Sequence, residues 1–201
     1  MADDPLTKRL KQLVALSTDE LCTLYLDLVD SAPGQAQVAA LGLREKARAG
    51  GIDSEQVSLL EACLLCAPDL SCVVHLAKAL AAFGREAQGT VPALVDRMRP
   101  IQVMDDTTYW IFDGCIWSLG YLGGDDAVAM LDELLAEKPA RVTAQVGYQG
   151  RLSKAHREKH WVRTLNEVRA RAAAPDAGVW REKKTKLQPL SEDGPPETVN
   201  W

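Results

Sequence analysis

Four side chains suited to a soft metal ion fall close together: Cys63, Cys66, Cys72 and His75, in CLLCAPDLSCVVH. A structural Zn²⁺ site takes four N or S ligands in a tetrahedron, and three thiolates with one imidazole is a known set. The surroundings argue otherwise. Cys63 and Cys66 sit in EACLLCAP, flanked by leucines, and Cys63 shares a helical face with Val57, Leu60 and Ala67. Cysteine in such a run is a small hydrophobe. The expectation is packing, with no metal. His156 and His160, in HREKH, stand one helical turn apart, but Glu158 is misplaced for a metalloprotease pattern and no third ligand is near. They read as a solvated helix face. A third constellation, YWIFDGCIW, offers Tyr109, Trp110, Asp113 and Trp117. Aromatic faces can hold a cationic ring, and a carboxylate can stabilise a developing cation. The plainer reading is aromatic packing between helices.

Charge limits what these groups could serve. The net charge is −5, unevenly spread. Residues 1–149 carry 12 Lys or Arg against 21 Asp or Glu, whereas 150–174 carry 7 against 2. An acidic body repels a phosphate backbone, which argues against nucleic acid as the main partner. The basic segment, with an apolar stripe of Trp161, Leu165, Val168 and Ala172, reads as a long amphipathic helix. Its simplest role is to cap an acidic domain by charge complementarity; an anionic partner is the rival role. Five cysteines, an odd number set in apolar runs, suit reduced thiols in a cytoplasm. The start, MADDPLTKRLKQL, has no apolar signal region, and no run approaches a membrane span.

The elements that must position these residues are helical. Leu70, Val73, Val74, Ala77, Leu80 and Ala81 fall on one face, as do Val91, Leu94, Val95 and Met98. Phe112, Cys115, Leu119 and Leu122 form another stripe, stopped by Gly123 and Gly124. Asp125 or Asp126 opens the next helix, with Val128, Leu131, Leu134 and Leu135 inward. Upstream, Ser17 and Glu20 have capping-box spacing, Gly50 and Gly51 close a second helix, and Asp53 or Ser54 opens a third that ends before Pro68. No stretch alternates with period two. The chain reads as all-α, with about nine helices and an aliphatic core.

Two segments repeat an order of features. LAAFGREAQGTVPALVDRM and SLGYLGGDDAVAMLDELL each run from an apolar helix through glycine and a polar turn to Val-x-x-Leu, with Gly84 and Gly123 thirty-nine residues apart. Here the chain resembles the HEAT-repeat family, an armadillo-like α-solenoid, in its short bacterial form. The match is mainly over residues 70–140. The resemblance implies an α-solenoid of helical hairpins with a long C-terminal helix, and it implies no catalytic residue. It also raises a rival, because some HEAT-like proteins are DNA glycosylases; Tyr109, Trp110, Asp113 and Trp117 would then form the site.

The expected organisation is a helical domain over 1–174 and an extended tail over 175–201. The expected role is a non-enzymatic scaffold, adaptor or assembly subunit binding proteins without a cofactor. A regulatory or immunity subunit of a bacterial secretion or defence system is a further alternative. The expected contact surface comprises Asp105, Asp106, Asp113, Asp125 and Asp126 with Tyr109 and Tyr148. Trp180 and Trp201 in the tail are a second contact, to a protein partner or to another copy of the chain.

Overall fold

The computed structural model describes residues 4–100, 106–137, 154–176 and 178–179; the side chains of 106–110 and 154–160 lie outside that description. Regular structure among the described residues is helical throughout. It comprises α1 (Pro5–Ala15), α2 (Thr18–Val29), α3 (Pro33–Arg48), α4 (Val57–Leu65), α5 (Leu70–Ala81), α6 (Val91–Met98), α7 (Asp106–Leu122), α8 (Asp125–Glu137) and α9 (Lys154–Ala173), with 3-10 turns at Ser54–Gln56 and Gly84–Thr90. No helix among the described residues is long and apolar enough to cross a membrane.

Local chemistry sets the boundaries. Asp4 accepts from the N–H groups of Leu6 and Thr7 and starts α1, which no apolar stripe had singled out. Ser17 and Glu20 form the expected reciprocal box on α2, worth about 1 kcal/mol. Asp53 and Gln56 form a similar box, but on a 3-10 turn that delays α4 to Val57. Asp69 caps α5 through the Cys72 N–H at 2.8 Å. Gly123 and Gly124 end α7 with φ of 64° and 90°, where a side chain would be strained. Asp125 and Asp126 fill the first turn of α8, favourably placed on its dipole.

Packing sorts the helices into two layers. The odd helices pack in sequence, α1 on α3, α3 on α5, α5 on α7 and α7 on α9; the even ones do likewise, α2 on α4, α4 on α6 and α6 on α8. Each layer covers the other through an aliphatic core that includes Leu21, Leu43, Leu60, Leu76, Leu80, Leu94, Ile116 and Leu119. Small residues bring the odd helices close. A Cβ on Gly42 would lie 3.3 Å from Leu13 Cβ, one on Gly114 2.5 Å from Val74 Cγ2, and one on Gly120 2.8 Å from Val168 Cγ1.

Cations fasten neighbouring helices of one layer by capping their C-termini, where carbonyls lack partners. Lys46 Nζ donates to the carbonyls of Val14 and Leu16 at the end of α1. Arg97 donates to Leu64, Leu65 and Ala67 at the end of α4. Arg85 serves two helices, donating to Leu122 at the end of α7 and to Ala172 and Ala174 at the end of α9. The basic helix α9 packs against α7 and α8. Trp161, Leu165, Val168 and Ala172 are buried, Trp161 stacks on Phe112 at 5.8 Å, and Arg169 pairs with Asp132 through both carboxylate oxygens. Beyond α9, the Gly178 carbonyl and the Val179 side chain lie against Gly84.

Candidate partner-binding recess

The odd layer has a floor. No residue of α5 is exposed, and its solvent side shows only Leu70, Ser71, His75 and Lys78, each half-buried. In the even layer α4 exposes Ser58, Leu59 and Leu65, and α6 exposes Pro92 and Asp96. Helices α3 and α7 therefore flank α5 as walls, and α5 can lie that deep because its inward faces are Val, Leu and Ala while Gly114 lets α7 approach.

Polar groups line this recess. On α3, Arg44 donates to Glu45 at 2.7 Å and its Nη1 stands 3.4 Å from His75 Nδ1; Arg48 holds the other Glu45 oxygen at 2.6 Å. On the opposite wall, Asp113 and Trp117 are half-buried. The Lys78 stem passes over Gly114, with Cε 3.0 Å from where a Cβ would stand. The environment perturbs both titrating groups. Burial first, then the charges of Arg44 and Lys78, push the His75 imidazole down to about 4, so it is neutral at pH 7. Burial pushes the Asp113 carboxyl up to about 6 in spite of nearby Lys78. Arg44 continues the recess into a groove between α1 and α3, of about 430 Å³, lined by Thr7, Leu10, Lys11, Val14, Leu41, Arg44 and Glu45. The groove is open along one side, unlike the enclosed sites that bury a small ligand.

The thiols have a different setting. Cys63 is buried facing Cys22 of α2; their shared hydrogen bond and burial drive the Cys63 thiol far above its ordinary range. Cys72 is buried beside the Tyr25 hydroxyl, its thiol pushed up to about 12, first by burial. Cys66 is exposed at the end of α4, and His75 faces Arg44 in the recess. The four residues of the Cys-Cys-Cys-His constellation are thus divided among core, surface and recess. Among the described residues no three His, Cys, Asp or Glu side chains are grouped to hold a metal ion.

The expected acidic contacts that the structure describes, Asp113, Asp125 and Asp126, do not share one surface. Asp113 lies in the recess, whereas Asp125 and Asp126 are exposed at the start of α8 in the other layer. Asp106, Tyr109 and Trp110 belong to α7, and His156 and His160 to α9, with side chains outside the described residues; Asp105, Tyr148, Trp180 and Trp201 lie outside them altogether. Sequence reasoning missed Arg44, Lys78 and the groove, because a lone cation in an apolar helix reads as a solvated residue until the neighbouring helices are placed. Comparison with protein-family models, curated proteins and solved structures finds no match for this chain.

Proposed function

We propose that this protein is a non-enzymatic scaffold of stacked helical hairpins, HEAT-like in plan, that binds a protein partner along the recess of α1, α3, α5 and α7. The observation that carries the reading is the packing of every second helix into one layer, which gives an extended recessed surface floored by α5. Stacked hairpins characteristically use such a surface for macromolecular contact. The groove between α1 and α3 lies open rather than enclosed, which suits side chains of a macromolecule better than a small substrate. On this reading the protein works as an adaptor or assembly subunit in the cytoplasm, and the tail supplies a second contact to a partner or another copy.

A photo-crosslinking amino acid at position 78, in the recess, and another at position 96, on the opposite layer, test this in cells of the native host. Protein adducts from position 78 that are absent from position 96 support the reading. Adducts from position 96 alone reject it.

A further inference from the structure

The two layers carry opposite charge. Helices α2, α4, α6 and α8 hold ten Asp or Glu against the single cation Arg97. The odd helices hold three cations on α1, three on α3, one on α5 and six on α9, thirteen in all, against five carboxylates. Summed along the chain these nearly cancel, and only the layering reveals the polarity. The helices of the recess itself, α1, α3, α5 and α7, hold seven of these cations against three carboxylates, and a recess concentrates the field of the charges that line it.

We propose that the recess takes an acidic polypeptide segment with apolar anchors, its apolar side chains seated on Leu10, Val14 and Leu41 and its carboxylates on Lys11, Arg44 and Lys78. This rests on the scaffold reading and adds the chemistry of the partner. Three features favour a polypeptide over a nucleic acid. The recess has carboxylates of its own, Glu45 and Asp113, which repel a continuous phosphate backbone. Its four described cations, Lys11, Arg44, Arg48 and Lys78, are fewer than the about six to ten phosphate contacts typical of a DNA-binding face, and two of them are already paired with Glu45. The groove between α1 and α3 has an aliphatic floor, and among the described side chains the recess offers the single aromatic Trp117 rather than the successive rings on which unpaired bases stack. A peptide with spaced carboxylates and apolar side chains matches the alternation of cation and floor.

The probe is a short fluorescein-labelled peptide of repeated Glu-Glu-Leu, titrated with the full chain and followed by anisotropy. Controls are a Lys-Lys-Leu peptide, an oligothymidylate single strand, and sedimentation of the protein alone. The acidic peptide should bind, and Arg44→Glu or Lys78→Met should weaken it by about tenfold or more. Lys11→Glu, at an exposed position that the core does not feel, should weaken it as well. Asp96→Lys, on the other layer, should change it by less than about twofold. Four results overturn the proposal: equal binding of the Lys-Lys-Leu peptide, indifference to all three recess substitutions, tighter binding of oligothymidylate, or self-association that the same substitutions abolish. If the acidic peptide fails while position 78 still crosslinks a protein, the charge assigned to the partner is wrong and the scaffold reading stands.

Discussion

Replacing Arg85 by alanine should loosen two helix ends at once. Its guanidinium donates to the Leu122 carbonyl at 3.1 Å and the Ala172 carbonyl at 2.8 Å, with further contacts to Ala174 and Arg171. Those carbonyls carry the negative ends of the α7 and α9 dipoles. A hydrogen bond from a charged donor contributes about 1.5–3 kcal/mol when the acceptor is left dry without it, and Arg85 is half-buried. Two well-formed bonds, discounted for water reaching the vacated site, give a loss of about 3 kcal/mol. For a chain of this size that lowers Tm by about 6–12 °C. Thermal unfolding by circular dichroism measures the loss, and limited proteolysis should show cleavage moving into α9. Arg85→Lys keeps the charge but not the fork, and should recover less than half of the deficit. A Tm within about 2 °C of wild type for Arg85→Ala would refute the idea that one side chain fastens α7 and α9.

Other expectations are as direct. Gly114→Ala should cost about 1–2 kcal/mol by urea titration, because the added methyl meets Val74 Cγ2 at 2.5 Å and this exceeds the gain in helix propensity; a neutral or stabilised variant would contradict the close α5–α7 contact. The folded pKa of Asp113, about 6, lies above its ordinary 3.8, so the folded state binds the extra proton and stability falls as pH rises from about 4 to about 6. His75 has the opposite sign: its folded value of about 4 lies below 6.5, so its stability contribution is full above pH 6.5 and is lost as pH falls toward 4. The two slopes oppose each other in wild type, and Asp113→Asn should unmask a stability that climbs between about pH 4 and pH 6.5; an unchanged profile in denaturant titrations would rule out a desolvated Asp113 carboxyl. Cys66 is the exposed thiol of the five, so the native protein should react quickly with Ellman's reagent at one cysteine and at the remaining four after unfolding. Fast reaction of two or more native thiols would count against the buried positions.

Helix type, several caps and the identity of the core were written in the sequence, because they depend on residues within one or two turns of each other. The Ser17–Glu20 box, the Gly123–Gly124 stop and the apolar stripes of α5, α6 and α9 are local patterns, and the structure keeps them. Helix α1 escaped because its caps and short apolar face are faint beside its charges. Cys63 and Cys72 read correctly as packing from their apolar neighbours, although Cys66 proved exposed and His75 joined a different set of residues. The layers were not legible. Which helices share a side, and so whether scattered lysines and arginines add or cancel, follows from which helices pack on which. Arg44 meets His75 across 31 positions of sequence, and Arg85 reaches Ala172 across 87. No periodicity of 3.6 residues encodes such pairs. They arise when the helices pack, with Gly42 letting α3 close on α1, Gly114 letting α7 close on α5 and Gly120 letting α9 close on α7. The sequence by itself determined the helices and much of the core; only the tertiary structure decided which thiols are buried, that opposite charges fall on opposite layers and that the basic layer holds the recess.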